Sequence, residues 1–196
     1  MAGGLAWRRL NRRGGRIDPR IIRPPGALPE DEFTETCVRC GACLAVCLTK
    51  TLAPTIAGAG WEGFLTPRLV PRIGECDEFC NRCGQSCPTQ AIRGMPLAAK
   101  RMAKLGTARV AKERCLAWAY DKHCLVCQEF CPYLAIRTLK NENGTDSPEV
   151  IAERCRGCGI CEKKCRSDPS PALLVYNDGA GTDASDPPTE GTVTSD

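Results

Sequence analysis

Sixteen cysteines stand in this chain of 196 residues, and they fall into four runs of four. The runs are Cys37, Cys40, Cys43 and Cys47; Cys76, Cys80, Cys83 and Cys87; Cys115, Cys124, Cys127 and Cys131; and Cys155, Cys158, Cys161 and Cys165. A disulfide scaffold scatters its cysteines through loops of varied length, whereas thiols two or three residues apart can turn together toward one metal centre. Metal binding is therefore the chemistry that the grouping supports.

The first and fourth runs read C-x2-C-x2-C-x3-C, the spacing with which bacterial ferredoxins hold 4Fe–4S clusters. Three thiolates two residues apart curl round one face of a cubane, and backbone N–H groups of the loop point at its sulfides. The fourth cysteine starts a helical turn directed away, and in two-cluster ferredoxins it ligates the other cluster. The second run, C-x3-C-x2-C-x3-C-P, and the third, C-x8-C-x2-C-x3-C-P, keep that ending and lengthen only the first interval. Sixteen thiolates at four per cubane account for four clusters with none left over.

Two other chemistries use such cysteines. Cys76, Cys80 and Cys83 alone match the C-x3-C-x2-C of radical S-adenosylmethionine enzymes, whose cluster keeps one iron open; Cys87 follows as a further ligand and argues against an open site. Zinc also takes four thiolates, but through two separated pairs and not through crowded runs repeated four times. The single histidine, His123, precedes Cys124 and reads as an exposed loop residue. With no Ser-His-Asp set, carboxylate pair or phosphate-cradling glycine loop, the chain reads as a carrier of electrons and not as an enzyme.

Aromatic residues make up 5% of the chain, too few large side chains to organise a core of this size without metal centres. The formal net charge is +4 with the thiols neutral; an oxidised cubane with four thiolates carries about −2, which takes the loaded protein to about −4. Arg39, Arg82, Arg156 and Arg166 stand in or beside the cysteine loops and are expected to offset that charge. Residues 1–23 hold seven arginines and one acid, Asp18, an unpacked arm suited to a partner subunit or an anionic membrane surface. A nucleic-acid partner is not indicated, since the arm has Trp7 as its one aromatic and no reading helix. Residues 177–196 carry five acids and no basic residue and read as a disordered tail. No apolar run is long enough to cross a membrane, and none follows Arg8-Arg9 or Arg12-Arg13 as a leader. The expected location is the cytoplasm, with peripheral membrane contact through the arm; the alternative is the periplasm.

The elements that must place the loops show as an internal repeat. TQAIR after Cys87-Pro88 matches YLAIR after Cys131-Pro132, and VAKERC ending at Cys115 matches VIAERC ending at Cys155. Each unit reads as strand, cysteine loop, short helical turn and a strand beginning near Ala-Ile. Pro96, then Leu97 to Leu105 at helical spacing, then Gly106 predict one better helix. Residues 48–75, rich in glycine and proline, are expected to lie across the cluster core with Trp61, Phe64 and Leu65 packed on it.

IRPPGALPEDEF at residues 22–33, CVRCGAC, TPRLVPRIGEC, CGQSCPTQAI, RCLAWA and CRGCGICEKKC together resemble the ferredoxin-type electron-transfer proteins of the MauM/NapG family, found with periplasmic nitrate reductase and methylamine utilisation. These are similar to the iron–sulfur β subunits of the dimethyl sulfoxide reductase superfamily. The resemblance implies an α+β fold of two nested ferredoxin-like units organised around four 4Fe–4S clusters, with low regular secondary structure and long loops. The expected organisation is a basic Arg-rich arm over 1–30, a four-cluster domain over 31–176 and an acidic tail over 177–196. Within the domain an outer unit, 31–72 plus 145–176, would enclose an inner unit, 73–144.

Nesting implies four ligand sets: Cys37, Cys40, Cys43 with Cys165; Cys155, Cys158, Cys161 with Cys47; Cys76, Cys80, Cys83 with Cys131; and Cys115, Cys124, Cys127 with Cys87. The two regular runs being the outer ones agrees with it. Sequential pairing, first run with second and third with fourth, is the alternative. The implied function is a polyferredoxin subunit that relays single electrons between a quinol- or flavin-linked donor, such as a membrane-bound subunit, and a terminal oxidoreductase. Leu48 and Arg166 stand where family members carry a proline after the fourth cysteine.

Overall fold

A computed structural model describes residues 17–178. Within them the helices are short: α1 (Glu30–Thr36), α2 (Ala42–Ala45), α3 (Arg82–Gln85), α4 (Leu97–Met102), α5 (Leu116–Tyr120), α6 (Val126–Glu129) and α7 (Ile160–Lys164). The strands are β1 (Leu52–Pro54), β2 (Pro67–Leu69), β3 (Thr107–Val110), β4 (Ile136–Lys140), β5 (Asp146–Val150) and β6 (Leu173–Tyr176), paired as three two-stranded antiparallel sheets. So little regular structure follows from the sequence, in which no amphipathic stretch is long enough to bury a helical face and a cysteine loop separates each outer strand from the inner hairpin.

Two halves follow one another and share a plan. In the first, Ala27 and Ile92 form an outer antiparallel bridge, and β1 pairs with β2 as the inner hairpin, Leu52 opposite Leu69. In the second, β3 pairs with β6, Thr107 opposite Tyr176, and β4 pairs with β5, Ile136 opposite Val150. Each cysteine run lies between an outer and an inner strand. Both halves therefore close on neighbouring sequence, and the partition into an outer unit, 31–72 plus 145–176, around an inner one, 73–144, does not match the strand pairing. Its boundary at 144/145 would cut the β4–β5 turn, where the Asn141 N–H donates to the Thr145 carbonyl at 2.9 Å. Local hairpins of this kind form with little loop-closure entropy.

The core is built of small and medium side chains, with Phe33, Ile22, Leu69, Ile92, Leu173 and Val175 its largest apolar members and cysteines among its walls. The halves meet through several contacts. The Leu105 N–H donates to the Arg156 carbonyl at 3.0 Å, and the Asn177 N–H to the Pro19 carbonyl at 2.7 Å. Lys163 pairs with Glu75 at 2.5 Å.

Three expectations are corrected. The basic arm does not extend to residue 30: Ile21 and Ile22 are 1% and 0% exposed, Arg20 pairs with the buried Glu162 at 2.6 Å, and Arg23 is buried between Glu30, Thr66 and the Phe33 ring. Apolar Ile21-Ile22 outweighs the flanking charge because each arginine finds its own acid. The rest of the arm, 1–16, and the tail beyond residue 178 lie outside the described residues. The helix at Pro96 stops at Met102, since Ala103 is extended and Leu105 and Gly106 are drawn into the contact with the other half; a Cβ on Gly106 would stand 2.3 Å from the Tyr176 carbonyl oxygen. Residues 48–75 form the inner hairpin, packed through Leu52, Thr55, Thr66 and Leu69, while Trp61, Phe64 and Leu65 are exposed. No helix among the described residues is long and apolar enough to cross a membrane.

Candidate metal centres

Each cysteine run builds its loop in one way. A single helical turn begins one residue before the third cysteine, at Ala42, Arg82, Val126 and Ile160. Gly41 and Gly159 precede two of these turns in left-handed conformation, φ 76° and 90°, where a side chain would be strained. After the fourth cysteine a tight turn follows. Lys50, Gln90 and Leu134 take φ 53°, 58° and 49°, and their N–H groups donate to the carbonyls of Cys47, Cys87 and Cys131 at 3.2, 3.4 and 3.3 Å. Leu48 therefore makes the same turn as Pro88 and Pro132. The fourth run departs from it after Arg166, where a cis Asp168–Pro169 bond follows.

The turns carry the chain back onto its own sulfur. The Ile92 N–H donates to Cys87 Sγ at 3.4 Å, that of Ala135 to Cys131 Sγ at 3.3 Å, and that of Ala172 to Cys165 Sγ at 3.2 Å. The repeated Ala-Ile after Cys-Pro is thus the strand start that turns an amide toward the thiolate.

Helix α2 packs on α3, and α6 on α7, which brings the first run to the second and the third to the fourth. Cys37, Cys40 and Cys43 line a cavity with Cys87. Cys76, Cys80 and Cys83 line another with Cys47. Cys155, Cys158 and Cys161 share a third with Cys131. The last four also stand together: burial pushes the Cys127 thiol up to about 12, and Cys115, Cys165 and Cys124 add to the rise. The fourth cysteine of each run is therefore exchanged with the neighbouring run. The pairings implied by nesting, Cys165 with the Cys37 set, Cys47 with the Cys155 set, Cys131 with the Cys76 set and Cys87 with the Cys115 set, are not the ones that the fold brings together. The short reach of α2 onto α3 and of α6 onto α7 is the reason.

The four quartets lie in file. Burial raises Cys83 to about 12, and Cys43 of the adjoining quartet contributes. Burial likewise raises Cys158 to about 12, with Cys76 contributing across the junction of the halves. Cys161 is raised well above its ordinary value by burial, with Cys127 contributing. The order is thus the Cys37 quartet, the Cys76 quartet, the Cys155 quartet and the Cys115 quartet. Cys165 behaves differently: burial raises it, but the N–H groups of Ser167, Ala172 and Leu173 and the Ser167 hydroxyl outweigh burial and leave it lowered.

These donor sets fit a polynuclear centre. Among the described residues no three His, Cys, Asp or Glu side chains converge on a single ion; the thiols instead ring cavities whose walls include Ala91, Ile92, Leu52 and Ile136. All-thiolate ligation with amide-to-sulfur hydrogen bonds suits iron and sulfide. His123 is exposed, as its place in the loop suggested.

One residue escaped the sequence reading. Lys100 is 3% exposed, and its Nζ donates to the Asp77 carbonyl beside Cys76. Burial raises the Cys76 thiol to about 11, with Lys100 pulling against it by charge and hydrogen bond. Nothing in LAAKRM marks this lysine, because its burial depends on where α4 lands. Arg39 was expected to offset cluster charge, but its guanidinium is taken by the carbonyls of Phe64 and Glu62, at 2.9 and 2.5 Å.

No family model matches the chain. Among curated proteins it is similar to the methylamine utilization ferredoxin-type protein MauM of Methylorubrum extorquens, 37% identical over 173 residues, covering 83% of this chain and 76% of the relative. MauM of Paracoccus denitrificans is 36% identical over 177 residues, 83% and 75% of the two chains. The ferredoxin-type protein NapG of Escherichia coli is 35% identical over 190 residues, 89% and 80%.

Proposed function

The chain belongs to the MauM/NapG family of ferredoxin-type electron-transfer proteins, and on that premise we propose that it relays single electrons through four cysteine quartets, each holding one 4Fe–4S cluster. The ligand sets are Cys37, Cys40, Cys43 and Cys87; Cys76, Cys80, Cys83 and Cys47; Cys155, Cys158, Cys161 and Cys131; and Cys115, Cys124, Cys127 and Cys165. A bound cluster supplies a one-electron redox centre. The protein supplies the rest. Its thiolates fix the place of each centre, alanine and isoleucine side chains line the cavities beside them, and the amides of Ile92, Ala135 and Ala172 hold charge at the sulfurs.

Strand order supports a finer reading of the fold. Each half runs outer strand, cysteine loop, inner hairpin, cysteine loop, outer strand, the plan of a two-cluster ferredoxin, so the proposed architecture is two ferredoxin-like units in series. The single observation that carries the function is the file of four quartets, which supports a relay from the Cys40 quartet to the Cys124 quartet. The proposed partners are a quinol- or flavin-linked donor, such as a membrane-bound subunit, and a terminal oxidoreductase. The MauM relatives carry methylamine utilization in their names, and an amine-oxidising system is one setting for such a relay.

Anaerobic purification with iron and sulfide analysis tests the reading. About sixteen irons, four per cubane, are expected; a colourless zinc protein would end it, and a full count in which one cluster's EPR signal shifts on adding an exogenous ligand such as S-adenosylmethionine would favour the open-site enzyme alternative.

A further inference from the structure

Of the sixteen cysteines, Cys40 is the exposed one, and it belongs to the quartet that ends the file. An apolar face surrounds it. Val38 is 60% exposed, Trp61 85%, Leu65 45% and Phe64 41%. Val38 and Leu65 line the same cavity as Cys40, and Trp61 stacks on Phe64 with ring centroids 6.1 Å apart. The two guanidinium bonds from Arg39 staple this aromatic loop to the cysteine loop. Aromatic side chains held rigidly in water are the usual anchors of a contact surface.

We infer that this face is the port at which electrons pass between Cys40 and a docked redox protein that presents an apolar patch with a basic rim. The inference rests on the cluster reading above. Charge selects the occupant. Glu62 stands within the face, and the exposed Asp31, Glu32 and Glu35 of α1 lead directly into Cys37. These four carboxylates outnumber the one exposed guanidinium of the face, that of Arg39, and their excess attracts a cationic rim and repels an anionic membrane. They would also confront themselves in a symmetric pair of copies. Size agrees, because four side chains fall well short of the ~1,200–2,000 Å² that a stable interface buries and suit the small contacts of transient redox encounters. At the opposite end the exposed charge is mixed, Lys112 and Lys122 standing next to Glu113 and Asp121.

Cytochrome c, whose apolar haem edge is ringed by lysines, is a suitable probe. The full chain, reduced with dithionite and freed of excess, is mixed with ferric cytochrome c; each electron that leaves the protein reduces one ferric haem to ferrous. The second-order rate is expected to fall with rising salt and to drop about tenfold in Trp61→Ser and Val38→Ser, with Tyr120→Ser, at the far end, unchanged. Binding to the same probe, followed by calorimetry, should weaken in the same two variants. A rate indifferent to the two face variants, or more sensitive to Tyr120→Ser, overturns the inference. So does flotation of the wild type with phosphatidylglycerol vesicles through Trp61, or a dimer in sedimentation that Trp61→Ser dissolves. Iron and sulfide counts on the same samples separate this failure from failure of the cluster reading: a full count with an indifferent rate rejects the port alone, and an absent count rejects both.

Discussion

The backbone N–H of Cys76 donates to the carbonyl of Cys158 at 2.8 Å. One hydrogen bond thus ties a loop of the first half to a loop of the second, at the point where the file of quartets passes between halves. Tyr133 lies at the same junction, where burial pushes its hydroxyl up, with Cys158, Glu78 and Cys76 adding to the rise. The proposed electron route therefore crosses a junction that depends on the two halves staying docked.

Exchange of the fourth cysteine predicts a specific lesion. Cys47→Ser should disturb the centre held by Cys76, Cys80 and Cys83 and leave that of Cys155, Cys158 and Cys161 intact. EPR of the reduced protein checks it: the signal altered in Cys47→Ser should be the one altered in Cys80→Ser and not the one altered in Cys158→Ser.

Lys100 is a buried cation beside Cys76, and a nearby positive charge favours the reduced, more negative form of a centre. Lys100→Met is expected to lower one midpoint potential by roughly 60–120 mV, one to two tenfold steps for a one-electron couple, and Lys100→Arg to lower it less. Redox-titrated EPR reads this directly; four unchanged potentials would refute the role.

Without metal, burial holds Cys43 and Cys76 at about 11 and Cys83, Cys127 and Cys158 at about 12, against an ordinary 9.0. Above pH 9 the unfolded chain releases these protons and the folded chain keeps them. Stability of the metal-free fold is therefore level below about pH 9 and falls from there through about pH 12. Circular dichroism across that range measures the loss. Loading clusters near pH 8 should in turn release protons from these thiols, since ligation takes the thiolate; a pH-stat during reconstitution counts them.

Leu48 occupies the proline place of a turn that the chain makes regardless. It is exposed, and the turn keeps the geometry found at Pro88 and Pro132. Leu48→Pro should stabilise the protein by about 0.4–1 kcal/mol through the unfolded state, raising Tm by roughly 1–4 °C for a chain of this size. Differential scanning calorimetry of the loaded protein would show it, and a fall in Tm would mean that the turn differs.

The cysteine spacing determined the chemistry by itself, because ligation depends on a few residues of loop and the chain repeats that loop four times. The same local character made the single-turn helices, the Ala-Ile strands and the exposed His123 legible. What spacing could not carry was the destination of each fourth cysteine. That depends on which short helices pack together, a contact between residues some forty positions apart that leaves no periodic trace. The packing of α2 on α3 and of α6 on α7 brings neighbouring runs together and supports the exchange between neighbours. Composition likewise misjudged residues 17–30, since arginine content reads as an arm until Glu162 and Glu30 are seen to receive Arg20 and Arg23. Lys100 and the Trp61 face belong to the same class. Burial and exposure of a side chain are properties of the packed chain, and tertiary structure alone decides them.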